Sequence, residues 1–206
     1  MPKCLQDCLW AKEEDLYLPL DRVDITKQPL SGSQHYHENC IMHRDIKPDN
    51  VMMGVVEGDG KSARWLCKFT DHGAVKVTRQ LVAGQAGSPF YCAPEILDRK
   101  PYGERVDVWS LGVLSVVLFT GHDPIRDNPY VDIYPQSSSE VRGWMNLVSK
   151  FIKLCYDPKW RPLLNNMLME KPLKRWPARR CQMFMADPSQ PRDRIVSILP
   201  ALSSKE

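Results

Sequence analysis

Glycine is scarce in this 206-residue chain: 11 residues against 17 prolines, with Gly32 the sole glycine before residue 43. Proline breaks helix interiors, so a mostly helical bundle is not expected. The same composition excludes collagen-like and long coiled-coil chains. The seven cysteines are odd in number and include no C-x-x-C pair, and no apolar leader follows Met1-Pro2-Lys3-Cys4. Reduced thiols in the cytoplasm or the nucleus are therefore expected, not a disulfide framework. Charge of one sign is also in short supply. The net charge is +3, with 13 basic to 6 acidic residues from Glu140 onward and 15 to 19 before it. Nucleic acid is not expected as a partner on so small an excess. Long hydrophobic runs are missing too. The most apolar stretch, residues 106–119, is interrupted by Asp107, Ser110 and Ser115. A membrane span needs about 20 predominantly apolar residues, so this stretch reads as a buried helix and no membrane partner is expected.

The organisation sharpens along the chain. Residues 1–34 form a poorly defined N-terminal segment, in which 16–24 suit a short strand or hinge remnant and 28–33 (Gln-Pro-Leu-Ser-Gly-Ser) a loop. Val51-Met52-Met53 and residues 65–69 read as two short strands joined by a hairpin around Gly58 and Gly60. Residues 74–90 form a loop without period. A helix apolar on nearly all faces is expected over 107–120. Residues 121–138 are loop-rich, carrying Pro124, Pro129 and Pro135. Ser138 or Ser139 suits the cap of a helix running to Cys155, with Val141, Trp144, Leu147, Val148, Phe151 and Ile152 at helical spacing. A short helix follows over 163–169. Residues 170–206 read as a basic, partly disordered tail.

Five short motifs carry the chemistry. Ile41-Met42-His43-Arg44-Asp45-Ile46-Lys47-Pro48-Asp49-Asn50 comes first, and Asp71-His72-Gly73 begins 21 residues after Asn50. Gly87-Ser88-Pro89-Phe90-Tyr91-Cys92-Ala93-Pro94-Glu95, Asp107-Val108-Trp109-Ser110-Leu111-Gly112 and Asp157-Pro158-Lys159-Trp160-Arg161-Pro162 complete the series. Alone, each is commonplace: an isolated His-Arg-Asp is a charged turn, an Asp-x-Gly a tight bend. Together, in this order, they resemble the signature of eukaryotic protein kinases of the serine/threonine type, H-R-D-x-K-P-x-N, D-F-G and A-P-E followed by D-x-W-S-x-G and D-P-x-x-R-P. The resemblance covers residues 35–169.

The resemblance implies an α+β fold, the mainly α-helical large lobe of a kinase with a small β-hairpin at the cleft. It implies transfer of the γ-phosphoryl of ATP to a Ser or Thr acceptor of a protein substrate. Phosphoryl transfer needs a carboxylate to take the hydroxyl proton, a cation to offset phosphoryl charge and oxygens to hold Mg2+. By resemblance these are catalytic Asp45, Lys47, Asn50 and Asp71. Lys47, Asn50 and Asp71 face the nucleotide, and Asn50 and Asp71 ligate the metal. Gly87, Ser88, Pro89 and Tyr91 would dock the substrate. His43 and Arg44 hold the catalytic loop, Asp107 accepts its backbone N–H groups, and Glu95 pairs with Arg161.

The chain departs from the pattern in three places. No G-x-G-x-x-G and no strand lysine precede His43, so the small lobe is missing from these residues and a partner supplying a small lobe or regulation is an open role. His72 replaces the phenylalanine of D-F-G, which would weaken an aromatic stack. Arg44 is the arginine that often receives a loop phosphate in this family, yet Thr78 is the sole hydroxyl residue in 74–86. Two other clusters read more plainly. His35-x-His37-x-x-Cys40-x-x-His43 lacks the paired spacing of zinc ligands and suits a helix end with exposed histidines. The basic run 171–180 suits a solvated surface. Beside the kinase reading, the residues leave open a catalytically inactive kinase-derived binding or scaffold module and a truncated remnant.

Overall fold

The computed structural model describes residues 3–11, 21–56, 63–122 and 137–187. It holds two small sheets and seven helices among those residues. The first strand, β1 (Lys3–Cys4), leads straight into α1 (Leu5–Trp10). Leu5 and Cys8 are buried there against Ile25, Val51, Met53, Trp65, Leu114 and Leu118. The N-terminal segment is thus built into the fold.

Helix α2 (Arg22–Glu38) is capped by the Asp21 carboxylate, which accepts from the N–H groups of Val23 and Asp24, both at 3.0 Å. The expected loop over 28–33 is instead the middle of this helix, and the hinge expected over 16–24 gives way to a helix cap and first turn from Asp21. Residues 12–20 lie outside the described set. A proline inside a helix costs about 3 kcal/mol, and Pro29 is tolerated because tertiary contacts flank it. Gln28 donates to the carbonyl of Trp65 at 3.0 Å and accepts from the N–H of Cys67 at 2.8 Å, while Leu30 and Ser33 are buried. Gly32 faces Phe69 so closely that a Cβ would lie 3.1 Å from its ring.

After β2 (Ile41–Met42), the expected hairpin forms from β3 (Val51–Val56) and β4 (Arg64–Phe69), with Val51 opposite Phe69 and Val56 opposite Arg64. Its turn, 57–62, is outside the described residues. β1 adds to β3, and β5 (Lys76–Val77) pairs with β2. Next come the one-turn α3 (Pro94–Leu97) and α4 (Arg105–Thr120). Every residue from Val106 to Thr120 is buried, which satisfies the expectation of a central helix. Its three hydroxyls are satisfied: Ser110 donates to the carbonyl of Tyr91, Ser115 to that of Leu111 and Thr120 to that of Val116.

The amphipathic helix α5 (Ser138–Lys153) is capped one residue earlier than expected, by Ser137, and lays Val141, Trp144, Val148, Phe151 and Ile152 against the core. Then follow α6 (Arg161–Met167) and α7 (Ala178–Ala186). The tail expected from 170 does not begin there. α7 packs along α2 with Ala178, Cys181 and Met185 buried; its apolar side chains, read alone, were too sparse to mark a core element. No helix among the described residues is long and apolar enough to cross a membrane.

Candidate active site

The loop that begins at His43 is organised by one buried carboxylate. Asp107, in the first turn of α4, is 1% exposed. An unpaired buried charge is very costly, and Asp107 is saturated: it accepts from the N–H of Arg44 at 2.7 Å, the N–H of His43 at 2.9 Å and Nε2 of His37 at 2.9 Å. The catalytic loop is therefore hung by its backbone from the most buried helix. Sequence reasoning weighed His37 only as a metal ligand and left it exposed at a helix end. Its side chain is 10% exposed and His43 is fully buried.

His43 packs its ring 5.1 Å from Phe69 and 5.8 Å from His72, stacked on Tyr36 at 6.4 Å. Burial pushes its pKa below the usual imidazole value, the Asp107 charge opposing in part. Neutral imidazole has one N–H. Its Nε2 lies 3.2 Å from the carbonyl of Thr70, so Nε2 carries the proton and Nδ1 faces the N–H of Asp45 at 3.4 Å. His72 keeps ring contact with His43 and Tyr36, and its Nε2 lies 2.9 Å from the Tyr36 hydroxyl. The loss of a phenylalanine face is matched here by a hydrogen bond.

Three of the four expected catalytic side chains meet directly. Asn50 Nδ2 donates to the backbone carbonyl of Asp45 at 2.8 Å and to its Oδ2 at 3.0 Å. Lys47 Nζ lies 3.6 Å from the same Oδ2. Ser88 joins them from the docking segment, donating to Asp45 Oδ1 at 2.9 Å and accepting from Lys47 Nζ at 2.9 Å. Asp71 stands on the neighbouring turn. The N–H of Thr70 bonds the carbonyl of Asn50 at 3.0 Å, closing the open end of the hairpin and bringing Asp71 beside the loop. Asp71 has φ +55°, is exposed, and its carboxylate accepts from the N–H of Gly73 at 3.1 Å.

The docking segment is fitted to this loop. Gly87 has φ +83°, and a Cβ there would collide with the carbonyl oxygen of Arg44, so no side chain is tolerated. Pro89 opens a short 3-10 turn through Tyr91, the Tyr91 carbonyl is tied to Ser110 at 2.7 Å, and Phe90 is buried with its ring 6.2 Å from Trp144. Burial pushes the Cys92 thiol up to about 12, and its Sγ lies 3.1 Å from the carbonyl of Ala86.

The expected pairing of Glu95 with Arg161 is corrected. Glu95 is held by Arg175 in a fork, Nη1 to Oε1 at 2.7 Å and Nη2 to Oε2 at 3.0 Å. Arg175 is fully buried, stacks over Trp109 at 5.0 Å and donates further to the carbonyls of Met169, Arg105 and Glu170. Arg161 instead donates to the carbonyl of Lys153 at 2.6 Å. A signal was available: P-x-x-R occurs five times in the sequence, and the two occurrences that matter here are Pro158–Arg161 and Pro172–Arg175. The second lies in the run expected to be solvated.

A family model, "Protein kinase domain", matches residues 6–185. The chain belongs to the protein kinase family. Its kinase relatives are of the serine/threonine type. It is 35% identical over 164 residues to serine/threonine-protein kinase shk1/pak1 of Schizosaccharomyces pombe, covering 73% of this chain and 23% of that protein. It is 37% identical over 164 residues to human calcium/calmodulin-dependent protein kinase type IV, covering 72% and 33%. Calcium/calmodulin-dependent protein kinase type 1 of Macrobrachium nipponense is 35% identical over 127 residues, covering 60% and 35%. The kinase chain thus spans between about a quarter and a third of the length of the curated relatives it matches.

Proposed function

We propose that this chain carries the catalytic half of a protein serine/threonine kinase, which transfers the γ-phosphoryl of ATP to a Ser or Thr hydroxyl of a protein. The observation that supports this best is the Asp45–Ser88–Lys47–Asn50 network, suspended from Asp107. In the reaction the acceptor oxygen bonds the γ-phosphorus while the bond to the β,γ-bridging oxygen breaks. ADP leaves, and the hydroxyl proton passes to Asp45. Lys47, already in the field of Asp45, offsets charge on the moving phosphoryl. Catalysis of this kind is positioning plus electrostatics, which is what a preformed network provides.

The donor set fits Mg2+, which prefers hard oxygens. Asn50 commits its Nδ2 to Asp45, leaving Oδ1 as the ligand atom, and the exposed Asp71 carboxylate adds charge. When bound, the ion neutralises the phosphate oxygens. The phosphate cradle and strand lysine are not among the 206 residues, so turnover calls for a small lobe from a longer form or a partner. The cytoplasm or the nucleus is the compartment we assign.

Thermal unfolding with and without Mg-ATP tests the reading, with Asp71→Asn as control. Ligand at 100 times its dissociation constant stabilises by about 2.7 kcal/mol, a rise of roughly 5–11 °C for a domain of this size. A rise lost in Asp71→Asn, with phosphotransfer abolished by Asp45→Asn once a small lobe is supplied, supports it. A cooperative transition that ignores nucleotide overturns it in favour of a kinase-derived binding module. That second reading draws on the docking segment, whose Phe90–Trp144 and Ser110–Tyr91 contacts need no nucleotide.

A further inference from the structure

Arg44 is the cation that joins three separate segments. Its φ is +68°, which turns the side chain out of the loop direction. Nε donates to the carbonyl of Ala74 at 2.6 Å, and Nη1 donates to the hydroxyl of Tyr102 at 3.2 Å. Tyr102 is 2% exposed. Its own backbone forms a two-bond bridge to Val82, N–H to carbonyl at 2.8 and 2.9 Å. One guanidinium and one tyrosine thus tie the catalytic loop to both halves of segment 74–86. Among the described residues no carboxylate pairs with Arg44.

The segment itself offers little for a phosphate to build on. Thr78 is its one hydroxyl residue. That hydroxyl accepts from the N–H of Gln80 at 3.0 Å, and the Thr78 N–H is bound to the carbonyl of Cys40 at 2.8 Å, so Thr78 is part of a turn beside β2. Gly84, with φ +106°, has no side chain to modify.

We propose that Tyr102 is a positioning residue, whose hydroxyl orients Arg44 and holds segment 74–86 against the catalytic loop without phosphorylation. The proposal rests on the kinase reading of that segment but not on turnover. Hydrogen exchange of the phosphatase-treated 206-residue chain tests it, read without nucleotide or substrate, so that absence of phosphotransfer bears on the kinase reading alone. Tyr102→Phe keeps the buried ring and removes only the acceptor. It should speed exchange of amides in 74–86 by about tenfold, the worth of one charge-assisted hydrogen bond, and should also release the Arg44 Nε–H resonance, while α4 and α7 amides stay unchanged. Arg44→Lys should do the same, and the double variant should add nothing to it, which a packing role for Tyr102 would not produce. Unchanged exchange in Tyr102→Phe, equal acceleration throughout the chain, or additive effects would each overturn the proposal. So would protection that vanishes on phosphatase treatment. Should Arg44→Lys fail to fold, Tyr102→Phe and the phosphatase arm decide alone.

Discussion

Two buried carboxylates hold the two segments that meet in the candidate site, and they do so differently. Asp107 grips the catalytic loop by its backbone N–H groups, with His37 as third donor. Glu95 anchors the end of the docking segment through a full ion pair with Arg175. The first arrangement brings dipoles to a charge and specifies where the backbone of 43–44 must run, whatever side chains it carries. The second sets charge against charge across 80 residues of sequence, and depends wholly on one distant arginine. A buried pair gains little over a well-packed apolar pair, yet removing one partner strands the other.

That difference orders what should happen when each is broken. Arg175→Ala should cost about 3–5 kcal/mol, since Glu95 is left charged and buried, whereas Arg161→Ala should stay within about 1 kcal/mol. Chemical denaturation of the two variants separates them, and equal losses would return the anchor to Arg161. Asp107→Asn should come next, at about 2–3 kcal/mol: one acceptor oxygen becomes an NH2 group facing an N–H donor. Exchange at the His43 and Arg44 amides should rise first. If global stability fell with those amides still protected, the carboxylate would not be what holds the loop.

The smallest effect is a pH dependence. Burial depresses the pKa of His43 below 6.5, so the folded state holds it neutral while the unfolded chain takes up a proton. Stability from this group is complete above the unfolded pKa. As pH falls below about 6.5 the unfolded state binds more protons, and stability declines until the folded imidazole also titrates. The slope of stability between pH 7.5 and 5 should be shallower in His43→Gln. A slope identical to that of the parent would show that His43 is not the proton acceptor concerned.

Much of this architecture was legible in residue order. The hairpin strands announced themselves by Val51-Met52-Met53 and 65–69, the central helix by its apolar run, and α5 by its spacing of Val141, Trp144 and Val148. The middle of α2 was not, because Gln28, Pro29, Ser31 and Gly32 carry loop chemistry. It is helical because Gln28 finds the hairpin backbone and Gly32 admits Phe69, contacts made across more than 35 positions. The turn before α7 was hidden for a similar reason: the basic run 171–180 reads as surface until one of its arginines, Arg175, finds a buried carboxylate.

The sequence by itself determined the chemistry: which residue types stand at 43–50, 71, 87–95 and 107, and hence a family whose members move phosphoryl groups. Those motifs are local, and their backbone spacing suffices to recognise them. It also presented Pro158–Arg161 and Pro172–Arg175, two of its five P-x-x-R elements, which are equivalent as strings. Only the tertiary structure chose between them, because pairing with Glu95 requires a guanidinium brought under α4, beside Trp109 and beyond reach of water. Arg175 is carried there by the turn between α6 and α7, while Arg161 is spent on the end of α5.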